Sequence, residues 1–436
     1  MLIPIGSWPR RTLNPTSAGM LAPALSALGL LGLVASTVLF DSQTPFPGVA
    51  ALLPVLSTVL LLRAGTPEES GGRINQLLSL PLLQGIGKRS YSWYLWHWPA
   101  LVFAAELVRQ PSAGVRLVAV LASLVLAVLS YRFVETPLRH HRALARPARS
   151  LALALVFSAA GFAAAVLWWK ASSAWSASET QAGLARVREE LPQIYADDCD
   201  HFGSGEFAEC VYGDSLSGRT AVLLGDSHAG QWFPALHDAA RERGWRLVVM
   251  TLSACPMTDT PAPYNDVLGR VYRECPAWRG RALGALGRLH PDVTFVASSN
   301  GYDVPLGDWQ SGTRAFMASV ARHSARTVLV AGIPVAGVDV PSCLARADWR
   351  VGSWLDPDCT PHDDPDARRR AAAQIRAVQG LPRVGVLDLR AAVCPEQGCT
   401  PTVKGRVRYR DDGHLSHEFA RTFRPSFRGY LPAAGA

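Results

Sequence analysis

Apolar residues are unevenly spread along the 436-residue chain. Up to about residue 170 they gather into long uncharged runs; beyond it they come as short clusters separated by mixed polar stretches. A helix that crosses a bilayer needs about 20 mostly apolar residues. Five runs reach or approach that length, at about 18–40, 46–62, 91–108, 114–134 and 150–169. The second is short and contains Pro54, which a span accommodates where neighbouring helices cover the freed carbonyl. No secretory-signal pattern opens the chain, because Arg10 and Arg11 precede a run too long for a signal core. The first half therefore predicts an α-helical membrane domain of five spans.

In the second half, short continuous apolar clusters predict strands at 220–224, 247–251, 292–297, 327–331 and 384–388. Helical periodicity fills the gaps, for example at 228–243 and 366–379. Strands of this kind alternating with helices predict a parallel sheet covered on both faces, an α/β/α layering. Residues 171–215 read as a linker with a short helix and a cysteine-containing loop.

Charge adds an orientation. Arg10 and Arg11 precede the first run, 41–45 has no Lys or Arg, and Arg63, Arg73, Lys88 and Arg89 lie between the second and third. Arg109 and Arg116 only edge the next loop, whereas "RHHRALARPAR" (139–149) is strongly basic. The positive-inside rule then predicts a cytoplasmic N-terminus and, after five spans, an extracytoplasmic second half. The net charge of +8 is accounted for by these loops, and a nucleic-acid partner is not expected.

All eight cysteines fall in the second half: Cys199, Cys210, Cys255, Cys275, Cys343, Cys359, Cys394 and Cys399. An even count confined to one region predicts disulfides and an oxidising compartment. Of the many connectivities, pairing of sequence neighbours (199–210, 255–275, 343–359, 394–399) is the one chosen. There is no CxxC and no cysteine–histidine cluster, so no metal site is expected.

Candidate chemistry lies where the first strand runs into "LLGDSHAGQWFPAL", which puts Ser227 at a strand-to-helix turn. Sites in open α/β sheets form at the carboxyl ends of strands, and a helix N-terminus stabilises a developing oxyanion. Near the other end, "YRDDGHLSHEF" offers His414 as base and Asp411 as the group that fixes its tautomer. Asp412, His417 and His228 are neighbouring alternatives, and a serine that merely caps a helix is the bland reading of Ser227. A second Gly-Asp-Ser, at 213–215, precedes the strand, so the tripeptide alone carries little.

"GDSHAGQW", "SACP" (253–256), the late cysteine pair and "DDGHLS" (411–416) together resemble the SGNH hydrolase domain in the form fused to acyltransferase-3 membrane proteins. "RSYSWYLWHWPALVF" and "LSYRFVETPLR" (129–139) resemble the last helices of that acyltransferase, and "TPFPGVAALLPVL" (44–56) the helices before them. The resemblance implies four segments. Residues 1–149 are the C-terminal part of the membrane acyltransferase and 150–170 a linker transmembrane helix; 171–215 are an extracytoplasmic linker and 216–436 the SGNH-like domain. It makes Ser227 the nucleophile and maps its Asp-x-x-His block onto Asp411 and His414. Its oxyanion glycine falls at Ala254, a departure from the pattern, and its asparagine at Asn300, for which an ordinary turn asparagine is the alternative.

The implied activity is transfer of an acyl group, acetyl above all, to a hydroxyl of a cell-envelope glycan such as O-antigen, exopolysaccharide or peptidoglycan. No bound cofactor is expected; acyl-CoA, chiefly acetyl-CoA, is the cytosolic donor of the complete enzyme, and the bilayer and the glycan are the partners. The implied location is the inner or plasma membrane with the SGNH domain periplasmic. A membrane-anchored esterase acting on the same glycans is the alternative. A binding module whose Trp232, Trp278 and Trp309 stack on sugar is a third reading. Family members carry further membrane helices, with essential histidine and arginine residues, ahead of those recognised here. The expectation is thus a fragment, or a membrane part that does not transfer acyl groups alone. His97, in "YSWYLWHWPALVF" (91–103), is either a packing residue in an interfacial aromatic belt or a group near the donor.

Overall fold

Strand residues of the second half bury alternate side chains on opposite faces of one sheet. The computed structural model describes residues 15–41, 44–65, 72–107, 112–349, 358–362, 364–395 and 399–433, and within them two compact units, one ending at Ala159 and one beginning at Ala160.

In the second unit the strands are β1 (Cys210–Gly213), β2 (Thr220–Gly225), β3 (Arg246–Thr251), β4 (Val293–Ala297), β5 (Arg326–Val330) and β6 (Val384–Leu387). They form a six-stranded sheet in the spatial order β1-β3-β2-β4-β5-β6. All neighbours are parallel except β1, which runs antiparallel to β3. The five expected strands lie within a residue of their predicted limits. The sixth corrects the reading of 171–215 as linker, because Cys210–Gly213 supply the antiparallel edge. Only four residues long and half-buried, β1 is too short to show a period.

Ala221 and Leu223 face one core with Leu247, Val249 and Phe295; Val222 and Leu224 face the other with Val248, Met250 and Val296. The first core is covered by α6 (Ser227–Gly230) and α7 (Phe233–Arg243) together with Phe419, Phe423 and Phe427 near the C-terminus. The second is covered by α8 (Glu274–Leu289) and α9 (Leu306–His323), through Trp278, Leu286, Phe316 and Met317. α10 (Pro365–Val378) closes the far side against α9 and β6. The helix expected over 228–243 breaks in two, with Pro234 in the first turn of α7, a position that tolerates its missing N–H.

Four disulfides join Cys199–Cys210, Cys255–Cys275, Cys343–Cys359 and Cys394–Cys399, the neighbour pairs chosen from the sequence. Their cysteines are 11, 20, 16 and 5 positions apart in sequence. For loops of roughly 15 residues such links stabilise by about 3 kcal/mol in the chain-entropy account.

The first half is helical, with α1 (Pro15–Leu39), α2 (Leu52–Ala64), α3 (Pro81–Leu107), α4 (Ala113–Ser130) and α5 (Pro147–Ser176). Helix Pro15–Leu39 packs on helix Leu52–Ala64, and Gly29 and Gly32 make the approach possible: a Cβ at either would overlap Ser57 and, for Gly29, Leu61. Small residues of this kind serve close helix packing inside membranes. Asn75 joins the pair, donating to the Ala64 carbonyl and accepting from Ser26 Oγ. Helix Pro81–Leu107 lies on helix Ala113–Ser130 through polar ties: Ser92 to Glu135, Trp93 to Ser123 and Trp96 to Ser130.

Among the described residues three helical segments are long and apolar enough to cross a membrane: Ala22–Leu39, Ala113–His140 and Pro147–Ser176. Five were expected. The run at 46–62 makes a helix of only 13 residues, Leu52–Ala64, too short for a bilayer core of about 30 Å. The run at 91–108 belongs to a helix of 27 residues whose Gln84, Lys88, Arg89 and interrupting Pro99 lower its apolar character. Arg10, Arg11 and Arg109, used for orientation, lie outside the described residues.

Candidate active site

The reversal of strand order puts a crevice at the carboxyl edge. From β2 the chain first adds β3 on one side, then returns to add β4 on the other, and ligands of open α/β sheets bind at such a switch point. Gly225 ends β2 there. A side chain on it would run into the Ala297 carbonyl and the Ala229 methyl, so only glycine lets the strand turn straight into α6.

Asp226, fully buried, fixes this turn. Its Oδ1 accepts the His228 N–H at 2.8 Å and caps α6. Its Oδ2 accepts from Ser298 Oγ at 3.0 Å, the Ser299 N–H at 2.8 Å and the Tyr302 hydroxyl at 2.8 Å. Burial pushes the Asp226 carboxyl above its usual range, against the hydrogen bonds that favour the anion. Ser227, the first residue of α6, is half-exposed between buried neighbours.

The C-terminal segment reaches the same edge. Tyr409 Oη donates to the Pro334 carbonyl, the Gly337 N–H to the Asp412 carbonyl and the Leu415 N–H to Gln231 Oε1. This brings His414 Nε2 to 2.9 Å from Ser227 Oγ, and His414 Nδ1 to 2.9 Å from Asp411 Oδ2. Asp411 Oδ1 also accepts the N–H groups of Gly413 at 2.8 Å and His414 at 2.6 Å. Burial alone would raise the Asp411 carboxyl. The hydrogen bond and charge of His414, with the two backbone N–H groups, outweigh it and hold the carboxyl well below the usual range.

The other named residues are distributed as follows. Ala254 lies in the turn after β3, next to the end of β2, since the Leu252 N–H donates to the Gly225 carbonyl. Its φ of +60° is in the left-handed region that glycine occupies without strain. The structure gives neither the Ser227 N–H nor the Ala254 N–H an acceptor among the described residues. Asn300 follows β4 and is 1 % exposed; one N–H of its Nδ2 donates to the Ala367 carbonyl at the start of α10. Asp412 is exposed and His417 begins the next helix; neither joins the line from Asp411 to Ser227.

His228 is buried against His414, ring centroids 4.8 Å apart. Trp232, Trp278 and Trp309 are all fully buried, which removes the rings on which the sugar-stacking reading relied. His97 is half-exposed on its helix and its Nδ1 lies 2.8 Å from the Tyr94 carbonyl of the same helix. Among the described residues no three His, Cys, Asp or Glu side chains are grouped to share a metal ion.

Two residues that hold the site together were not singled out from the sequence. Asp226 stands inside the quoted "GDSH" and Tyr302 two residues after Asn300; the only available signal was a carboxylate directly before a candidate serine.

Burial, reinforced by the charges of His414 and Arg410 against the pull of Asp411, pushes the His228 imidazole down to about 3. The unfolded value is about 6.5, so the neutral ring contributes stability above that pH, lost as pH falls from about 6.5 toward 3. The expected slope is at most about 1.4 kcal/mol per pH unit. His237 is shifted in the same direction by burial, so the parent must be compared with His228→Gln. Unfolding free energy measured between pH 7 and 4 should fall less steeply in the variant; parallel curves would remove the assignment.

Among curated proteins, the peptidoglycan O-acetyltransferase OatA of Listeria monocytogenes is 27% identical over 139 residues. The O-acetyltransferase OatA of Staphylococcus aureus is 30% identical over 139 residues. The matched stretch is 30% of this chain and 22–23% of those proteins, so the chain spans less than a quarter of their length. The solved periplasmic domain of Salmonella ser. Paratyphi A lipopolysaccharide acetyltransferase aligns with 58% of this chain and 97% of its own, at 13% identity and a TM-score of 0.42. The family described as "SGNH domain (fused to AT3 domains)" matches residues 195–429, more than half of the chain, and the chain belongs to that family.

Proposed function

We propose that the chain acts in O-acetylation of a cell-envelope glycan, with Ser227 as nucleophile, His414 as general base and acid, and Asp411 as the residue that orients His414. The observation that carries this reading is the unbroken line of hydrogen bonds from Asp411 through His414 to Ser227 Oγ at the carboxyl edge of the sheet. Two relatives named as O-acetyltransferases support the acetyl group and the envelope setting.

In the first half-reaction, Ser227 Oγ attacks the carbonyl carbon of an acetyl donor while His414 Nε2 takes the hydroxyl proton. The oxyanion faces the N–H groups of Ser227 and Ala254, and the leaving group departs with the proton from His414. In the second, a sugar hydroxyl attacks the acetyl-serine and gives its proton to His414, which passes it to Ser227 Oγ as the serine leaves, restoring the free hydroxyl and the neutral imidazole. Donors aimed at a developing oxyanion are worth about 3–4 kcal/mol each in such sites. Within this reading the acetyl group comes from cytosolic acyl-CoA through the membrane part of the complete enzyme. The second unit then lies outside the cytoplasmic membrane, where four disulfides are chemically at home.

The same half-reactions release acetate when water replaces the sugar. The test is partition: full-length chain in vesicles is given an acetylated donor ester with and without an oligosaccharide acceptor, and acetyl-sugar and acetate are counted. Acetyl-sugar in excess of acetate is expected. Acetate alone at saturating acceptor would make the protein an esterase.

A further inference from the structure

Segment 193–200, read from the sequence as linker around the disulfide cysteine Cys199, braces both halves of the site. Ile194 and Tyr195 pack against Gly230 of α6 so closely that a Cβ there would lie 3.1 Å from each. Asp200 grips the turn after β3: its Oδ1 and Oδ2 accept the Ser253 N–H at 3.0 and 2.9 Å, and its Oδ2 accepts Ser253 Oγ at 3.0 Å. Tyr195 Oη lies 3.4 Å from the same Ser253 hydroxyl. Ser253 directly precedes Ala254, whose left-handed backbone is one that a residue with a Cβ resists. Asp200 itself follows Cys199, which is bonded to Cys210 at the start of β1, while the Cys199 N–H donates to the Ile194 carbonyl. One carboxylate thus ties the turn bearing a candidate oxyanion donor to a segment stapled to the sheet edge.

We propose that Asp200 is a positioning residue which, held by the Cys199–Cys210 disulfide, sets the Ala254 N–H at the oxyanion of the acyl-transfer step. A half-buried carboxylate that spends both oxygens on one backbone N–H does more than satisfy that N–H, for which one acceptor suffices. It also resists sliding of the turn along either oxygen. Transition-state donors act only when correctly placed, and a displacement of about 1 Å costs up to about 100-fold. The loss should therefore appear in turnover, since ground-state binding of a small acetyl ester does not need the donor. Because the disulfide holds Asp200, the site reaches full activity only after oxidation.

This rests on Ser227 being the nucleophile, and the experiment separates the two. Full-length parent, Ser227→Ala, Asp200→Asn, Cys199→Ser/Cys210→Ser and the triple combination are assayed in detergent with p-nitrophenyl acetate, with folded protein quantified by thermal unfolding. For Asp200→Asn, kcat per folded molecule should drop roughly 10- to 100-fold with KM within about twofold. The cysteine pair should show a similar drop, and the triple variant should lose no more than about twofold beyond either. Undiminished hydrolysis by Ser227→Ala would overturn the nucleophile assignment itself. With Ser227→Ala inactive, an unchanged kcat for Asp200→Asn overturns the positioning role, as does a lowered Tm with parental kcat. Losses that multiply in the triple variant overturn the link between the disulfide and Asp200.

Discussion

Ser227→Ala is expected to lower turnover of acetyl esters by about 10⁴- to 10⁶-fold, leaving what the oxyanion donors and binding supply without a nucleophile. The fold should not notice. Ser227 is half-exposed, its hydroxyl is hydrogen-bonded to His414, and the cap of α6 belongs to Asp226. Stability should change by less than about 0.5 kcal/mol. The chain carries its own control. Ser215 belongs to a second Gly-Asp-Ser, after β1, whose Gly213 pairs with Arg246 at the amino end of β3. Since Ser227 follows the carboxyl end of β2, the two serines stand at opposite edges of the sheet, and Ser215→Ala should turn over like the parent. Equal losses in both variants would mean that the tripeptide matters for folding and that Ser227 has no chemical role.

That contrast also marks what could be read in advance. Five strands were legible because each is a short apolar run bounded by polar or turn residues, four of them buried on both faces and Val384–Leu387 half-buried. Ser227 was legible from its strand-to-helix context, and Asp411 and His414 from their spacing of three. The edge strand Cys210–Gly213 was not, because its four positions alternate between half-buried and exposed while their residue types do not, Val211 being apolar yet exposed. Asn300 was mapped as an oxyanion donor by the family resemblance with an ordinary turn asparagine as the alternative, and its hydrogen bond to the Ala367 carbonyl, 67 positions away, could not be read in advance. Asp200 failed for the same reason: its partner Ser253 is 53 positions distant. In the membrane half, a 13-residue helix such as Leu52–Ala64 and a long helix carrying Lys88 and Arg89 both resemble spans when apolar residues are counted without their breaks.

Asp411→Asn carries the second large effect, a loss of about 10⁴-fold in kcat with the backbone of the turn intact. The asparagine carbonyl oxygen can still accept the N–H groups of Gly413 and His414, as Asp411 Oδ1 does now. What changes is the group facing His414 Nδ1. A carboxylate oxygen there accepts a hydrogen bond from Nδ1–H and so holds the imidazole in the tautomer whose bare Nε2 points at Ser227 Oγ. An amide NH2 in its place donates, which moves the ring proton to Nε2 and leaves no base beside the serine. Asp412, adjacent in sequence, cannot substitute, because it is exposed and meets the fold through its carbonyl to Gly337; Asp412→Asn should therefore keep parental turnover. The pH profile supplies a further test. Asp411 is held well below the ordinary carboxylate range, so it stays ionised across the acid range of an ordinary assay. The acid limb of kcat/KM should thus contain no proton taken up by Asp411 and keep a slope of one. A limb of slope two, or a tenth of parental activity surviving in Asp411→Asn, would defeat the assignment of Asp411 as the orienting group.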